Sequence, residues 1–144
     1  MYDKILFPLD LANLDAQEKA RTTAFEMAKI HKSEIHVLTI LPFLPAHLSE
    51  GYLPEGAEKS ALKHVSESLG QYVEKNFESI ASHTKMAVRE GTIYIEILNY
   101  AEREAIDLIV MASHRPELQD YLIGPNAARV VRHSLCSVLV VRGN

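Results

Sequence analysis

The chain has 144 residues and a formal charge of −4, from 15 lysines and arginines against 19 aspartates and glutamates. A hydrophobic fraction of 47% and a charged fraction of 24% are ordinary for a globular protein, and they exclude a disordered or fibrous chain. The acidic balance argues against a nucleic-acid partner, because neutralising phosphates requires a clustered cationic surface.

The single cysteine and the length of the apolar runs bear on location and organisation. Cys136 alone can form neither an internal disulfide nor a cysteine-based zinc site, which predicts a reducing, cytoplasmic environment. No apolar run approaches the length of about 20 residues that spans a bilayer, so we expect no membrane insertion. The length predicts one domain over residues 1–144.

The first predicted strand is short, and a helix follows it. Residues 5–7 are β-prone and end at Pro8, after which apolar residues recur at helical spacing from Asp15. Asp15 and Glu18 have the spacing of a capping box, and Asn13 is a competing cap.

The next stretch combines a strand, an irregular segment and a long helix. Residues 35–40 form the second predicted strand, and the prolines and glycines of residues 41–58 predict a loop. The helix after it is predicted to bury Leu62, Val65, Leu69, Val73 and Ile80.

The second half of the chain repeats the alternation of strands and helices. Strands are predicted over residues 85–90, 108–112 and 138–141, with a helix over 93–104 between the first two. That helix is predicted to bury Ile97, Leu98, Ala101 and Ala105, and the last helix Ala127, Val130 and Val131. Five strands alternating with four helices are typical of a doubly wound α/β fold, a parallel sheet covered by helices on both faces.

In such a sheet, ligands bind beyond the carboxyl ends of the strands, where the winding direction reverses. This rule brings together Pro8, Leu9 and Asp10 after the first strand, Ile40 at the end of the second, and the residues from Ala112 after the fourth. Two interpretations of Asp10 are open. It accepts a ribose hydroxyl or holds a divalent ion through water, or it caps a turn before the first helix.

The start of the last helix is a candidate anion site. Gly124 at the cap and Pro125 at the first helical position are a recognised helix start, and Asn126 and Ala127 would supply the free N–H groups. The alternative is an ordinary helix start that binds nothing.

The loop that leads to this helix carries two candidate polar residues. Arg115 offers a planar guanidinium to a polyphosphate, or it pairs with Glu117 or Asp120. His114 is a candidate general base, although a lone histidine is more often a hydrogen-bonded anchor.

Several stronger motifs are absent from the sequence. It contains no GxGxxG, GxxxxGK[ST], HExxH or CxxC pattern, so we expect no NAD site, no P-loop and no zinc or other protein-ligated metal centre. Cys136 has no visible basic partner and is interpreted as a packing residue.

Three stretches together resemble the universal stress protein (UspA-like) family. These are Pro8-x-Asp10 after the first strand, Ala112-Ser113-His114-Arg115 after the fourth, and Gly124 opening the helix before residues 137–141. The resemblance covers essentially the whole chain. It implies a five-stranded parallel sheet of order 3-2-1-4-5, an adenine nucleotide alpha hydrolase-like fold, and binding of ATP or AMP, with Mg²⁺ held by Asp10 through water. Ile40 and Met111 would then line the adenine pocket.

The chain departs from the family's phosphate-binding pattern at four points. Ala112 and Arg115 stand where two motif glycines would be, Pro125 stands at the Ser/Thr position, and the spacing from Arg115 to Gly124 is one residue short. Arg115 therefore either binds the phosphates or fills their place. In the second case the protein is a nucleotide-free dimeric interaction module, with Arg115 and Pro125 blocking the site.

The last strand predicts the oligomeric state. Val138, Leu139, Val140 and Val141 are apolar on both faces and would form an exposed sheet edge, which invites pairing. Family dimers pair this strand across a two-fold axis, so the resemblance implies a homodimer.

The function implied by the resemblance is that of a cytoplasmic stress-response protein, regulatory or interacting with an unidentified protein partner, that binds an adenine nucleotide. We expect negligible ATP hydrolysis, because no residue is a convincing base for attacking water. A flavodoxin-like electron carrier shares the layered architecture. It is disfavoured because the first βα loop lacks a Ser/Thr-rich phosphate cradle and the chain has no tryptophan to stack on a flavin.

Overall fold

Regular elements alternate along the chain as the sequence predicts. The computed structural model describes residues 1–42, 56–113 and 124–143. Within these ranges the strands are β1 (Lys4–Pro8), β2 (Glu34–Leu41), β3 (Thr84–Glu90), β4 (Leu108–Ser113) and β5 (Ser137–Arg142). The helices are α1 (Glu18–His31), α2 (Ala57–Phe77), α3 (Ile93–Arg103) and α4 (Pro125–His133), with 3-10 turns at Asp15–Gln17 and Glu78–His83.

The strands form one parallel sheet of order β3-β2-β1-β4-β5. β1 lies at the centre, where Ile5 is in register with Ile35 on one side and Leu108 on the other. This arrangement confirms the predicted fold class, including the strand order 3-2-1-4-5 and the helices on both faces.

The two faces of the sheet bury alternate residues of each strand. Ile5 and Phe7 of β1 belong to the core cluster beneath α1 and α2, whereas Leu6 belongs to the cluster beneath α3 and α4. α1 contributes only small side chains to its buried stripe, so its backbone packs close to the sheet. These side chains are Ala20, Ala24 and Ala28.

The predicted capping box at the start of the first helix is wrong. Asp15 lies inside a 3-10 turn, and the residue at the N-cap of α1 is Gln17, whose side chain makes no cap hydrogen bond. Asn13 is not the cap either, because its amide is bound to Asp10 instead. The 3-10 turn occupies Asp15–Gln17, so α1 begins at Glu18, three residues after Asp15.

Three further details differ from the sequence prediction. α2 begins at Ala57, inside the segment 41–58 that was predicted to be a loop, and residues 43–55 lie outside the described residues. Ala105 is exposed and has a positive φ of 54° beyond the end of α3, so it does not pack. Val131 is 45% exposed because α4 contacts the sheet through Ala127 and Val130.

A buried polar cluster links β2 to α3 at the amino edge of the sheet. His36 is 1% exposed; its Nδ1 lies 2.7 Å from the hydroxyl of Tyr100 and its Nε2 lies 2.6 Å from Oε1 of Glu34. Because the Glu34 carboxylate only accepts, Nε2 of a neutral ring carries the proton and Nδ1 accepts from Tyr100. The His36 hydrogen bond lowers the pKa of Glu34, and burial raises the pKa of Tyr100.

This cluster gives a direct test of the packing between β2 and α3. We expect Tyr100→Phe to lower the free energy of unfolding by about 1–3 kcal/mol, because Nδ1 of His36 stays buried without a partner. Tyr94→Phe on the same helix is the control, since Tyr94 contacts Arg129 through its ring. It should change stability by less than about 0.5 kcal/mol. Urea unfolding measures the stability of both variants. Equal stability would contradict a stabilising hydrogen bond between Tyr100 and His36.

Candidate functional site

A cleft of about 700 Å³ opens at the carboxyl edge of the sheet. It lies where the winding reverses, between the turn after β1 and the start of α4. The structure brings nine predicted site residues to its walls: Pro8, Leu9, Asp10, Ile40, Met111, Ala112, Gly124, Pro125 and Asn126. The other two, His114 and Arg115, lie outside the described residues.

One half of the cleft is apolar. Ile40 and Met111, from the ends of β2 and β4, meet Ile93 and Ile97 from the first two turns of α3. The start of α3 is fixed by Gly91, whose N–H donates to the carbonyl of Leu41 at 3.0 Å. Gly91 has φ +151°, a backbone conformation that residues with a side chain rarely adopt, so glycine is favoured at this turn.

Asp10 holds the turn that forms one polar wall of the cleft. Its Oδ1 accepts from the backbone N–H of Ala12 at 2.9 Å, and its Oδ2 accepts from Nδ2 of Asn13 at 2.7 Å. The structure therefore confirms the turn-capping interpretation of Asp10. The side chain nevertheless remains exposed and lines the cleft, and each carboxylate oxygen keeps a second acceptor position.

Gln17 is a residue of this wall that the sequence analysis missed. Its side chain is buried, and its amide accepts from the N–H of Asp10 at 2.8 Å. The same amide donates to the carbonyls of Asp10 at 2.7 Å and Asn13 at 2.8 Å. The available signal was its position: Gln17 is in phase with Ala20, Ala24 and Ala28, so a polar side chain stands on the buried stripe of the helix.

The opposite wall is the N-terminus of α4. Gly124 is buried and extended (φ −63°, ψ 161°), Pro125 occupies the first helical turn, and the N–H of Ala128 donates to the carbonyl of Gly124 at 2.9 Å. This confirms the predicted cap. Asn126 and Ala127 lie in the first turn, where backbone N–H groups have no acceptor within the helix.

A second cavity, of about 600 Å³, lies on the other side of the Asp10 turn. Leu11 and Asp15 line it from one side and Tyr72 from α2. Burial raises the pKa of Tyr72 to about 12, and the nearby Glu18 has its pKa lowered by its hydrogen bond to Arg21. The turn at Asp10 is thus a thin wall between two cavities.

Comparison with known proteins places this geometry in a family. The family model described as the Universal stress protein family matches residues 1–142. The chain belongs to the universal stress protein family. This confirms the resemblance carried by Pro8, Asp10, Ala112 and Gly124.

Individual relatives match this chain over nearly its full length. Universal stress protein G of Shigella flexneri is 32% identical, over 99% of this chain and 100% of that protein. The universal stress protein UspA from Lactobacillus plantarum has a TM-score of 0.78 at 25% identity, over 98% of both chains. The fold is also shared, with a TM-score of 0.72 at 17% identity over 97% of both chains, by a universal stress protein crystallised in complex with cAMP.

Within residues 1–42, 56–113 and 124–143, no helix has the length and apolar character needed to cross a membrane. Over the same ranges, no three side chains of His, Cys, Asp or Glu come together in a way that could hold a metal ion.

The turn at Asp10 predicts a stability effect that is independent of any ligand. We expect Asp10→Ala to lower the free energy of unfolding by about 0.5–1.5 kcal/mol, because Ala12 and Asn13 lose their acceptors. Asp15→Ala, an equal charge change at an exposed site in the neighbouring 3-10 turn, should cost less than about 0.5 kcal/mol. Chemical unfolding without nucleotide measures the difference, and indistinguishable midpoints would reject the role of Asp10 in the turn.

Proposed function

We propose that the protein binds an adenine nucleotide, ATP or AMP, in the cleft at the carboxyl edge of the sheet. One observation carries the proposal: Asp10, whose carboxylate is exposed, lines the same cleft as the helix N-terminus at α4 and an apolar surface formed by Ile40, Met111 and Ile97. These are the three environments that a nucleotide requires.

The apolar half fits a base, and Asp10 fits a sugar. Ile40, Met111 and Ile97 offer a surface for the faces of an adenine ring, which gains from leaving water. The free acceptor positions of Asp10 are suited to ribose hydroxyls, because a hydrogen bond to an ionised acceptor is worth more than a neutral one. That a protein of this fold was crystallised with cAMP supports an adenine nucleotide as the ligand.

The start of α4 fits a phosphate. The free N–H groups of Asn126 and Ala127, with the positive end of the helix dipole, attract an anion. Pro125 has no N–H and removes one donor from this cradle. We propose that Mg²⁺ accompanies ATP and is held by Asp10 through water.

The protein's role would be regulatory rather than catalytic. Among the described residues that line the cleft, Asp10 alone has a titratable side chain, and both its oxygens already accept hydrogen bonds from the turn. We therefore propose a cytoplasmic stress-response protein in which the bound nucleotide changes a surface read by a protein partner, with negligible hydrolysis. A bound nucleotide changes the populations of two conformations of this surface only if it binds one conformation better than the other.

Nucleotide binding is tested with purified protein. We expect denatured protein to release adenine nucleotide, and titration calorimetry to show binding of Mg²⁺–ATP or AMP. Asp10→Ala should weaken the affinity about tenfold, because a charged acceptor for the ribose is lost. Asp15→Ala should bind as wild type, since Asp15 faces the second cavity.

The contrary outcome is that no nucleotide is released or bound. The alternative would then hold, a nucleotide-free interaction module in which Arg115 and Pro125 occupy the phosphate position. Tight binding by Arg115→Gly alone would identify the arginine as the obstruction.

We further propose that the protein is a homodimer paired through β5. β5 is an edge strand of the sheet, and Val138, Leu139 and Val140 are only half-buried there, beside Val141. A second copy of the same edge would complete the hydrogen bonds of the strand and cover these side chains.

Sedimentation measures this association. We expect twice the chain mass of 16.2 kDa, and dissociation by Val140→Lys, because a two-fold axis brings the two new charges together. Met86→Lys is the control on the opposite edge strand, where Met86 is 55% exposed. A wild-type mass of 16.2 kDa at high concentration, or dissociation by the control alone, would contradict the proposal.

A further inference from the structure

The side-chain amide of Gln17 forms two hydrogen bonds with the backbone of Asp10. The Oε1 atom of Gln17 accepts from the N–H of Asp10, and Nε2 donates to the carbonyl of the same residue, at 2.8 and 2.7 Å. A neighbouring strand would satisfy the backbone of residue 10 with the same kinds of hydrogen bond. These two hydrogen bonds therefore continue the strand-like pairing of the backbone past the end of β1 at Pro8.

The orientation of the Gln17 amide is dictated by its partners. Nε2 also donates to the carbonyl of Asn13 at 2.8 Å, so two carbonyls lie on one side and one N–H on the other. Reversing the amide would turn all three attractive contacts into repulsive ones. With 6% exposure, the side chain exchanges little with water.

The remaining freedom of Asp10 is removed by the turn itself. Gln17 fixes the backbone at residue 10, while the N–H of Ala12 and Nδ2 of Asn13 fix the two carboxylate oxygens. The two carboxylate oxygens, and with them their free acceptor positions, thereby have a set direction before any ligand arrives. Such preorganisation lowers the entropy cost of binding a hydroxyl group.

We infer that Gln17 is a positioning residue that sets the discrimination between ribose and deoxyribose, acting through Asp10. This inference rests on the proposed nucleotide site. It goes beyond that proposal because Gln17 would determine which sugar is accepted rather than whether a nucleotide binds. Without Gln17, the Asp10 carboxylate would still be present and charged, but it would no longer point at a fixed hydroxyl.

Calorimetric titration with ATP, 2′-deoxy-ATP and 3′-deoxy-ATP tests the inference. We expect wild type to prefer ATP about tenfold over at least one deoxy analogue, since each lacks one hydroxyl donor. Gln17→Met keeps the length of the side chain and should bind all three equally. Gln17→Glu keeps the size of the side chain and the acceptor for the N–H of Asp10, but it places an acceptor oxygen against the two carbonyls in place of the donors, and it should also lose the preference.

The control is a variant that loses a different buried hydrogen bond. Ser33 is 2% exposed, and its hydroxyl donates to the carbonyl of Tyr2 at the opposite edge of the sheet. Ser33→Ala should lower the melting temperature as the Gln17 variants do, yet retain the wild-type preference for ATP. A loss of preference confined to the Gln17 variants separates positioning from general stability.

The outcomes distinguish this inference from the proposed function. If wild type binds none of the three nucleotides, the proposed function fails and the inference falls with it. If wild type binds ATP with a ribose preference that folded Gln17→Met or Gln17→Glu retains, the inference alone is overturned. Equal binding of all three by wild type also overturns it, because Asp10 would then not read the sugar.

Discussion

The central position of β1, hydrogen-bonded to β2 on one side and β4 on the other, is the constraint on which the rest of the structure depends. From β1 the chain winds outward through α1 on one face and later returns through α3 on the other. The chain after β1 and the start of α4 therefore lie on opposite faces of the sheet. The cleft is the space between them, so its place follows from strand order and not from any single side chain.

The two halves of the cleft arise from different kinds of interaction. Its apolar half consists of strand ends and the start of α3, and the side chains there are continuous with the core that contains Leu6 and Ile109. Of its two polar walls, the one at Asp10 depends on contacts within one short stretch of chain, from Asp10 to Gln17. The apolar surface is consequently part of the packed core, whereas the direction of the polar groups in the turn is set by local hydrogen bonds.

The sequence was sufficient for the fold because alternating periodicities and strand ends are local signals. It also identified Asp10 and Gly124, since residues directly after a parallel strand, or at a helix cap, need no long-range information. It failed for the capping box at Asp15 and for Gln17, because the chain forms a 3-10 turn over Asp15–Gln17 before α1 begins at Glu18. A glutamine on an alanine stripe indicates a buried amide, but its partner seven residues earlier depends on how that turn closes.

The two edges of the sheet differ in chemistry, and this difference bears on how far the protein can assemble. β5 presents consecutive apolar residues from Val138 to Val141, while β3 carries the charged residues Lys85, Arg89 and Glu90. Open-ended growth of a fibril by strand addition requires that both edge strands of every molecule can pair with another molecule. Of these two edges, only β5 presents such an apolar surface. Pairing through β5 would therefore give an assembly of limited size.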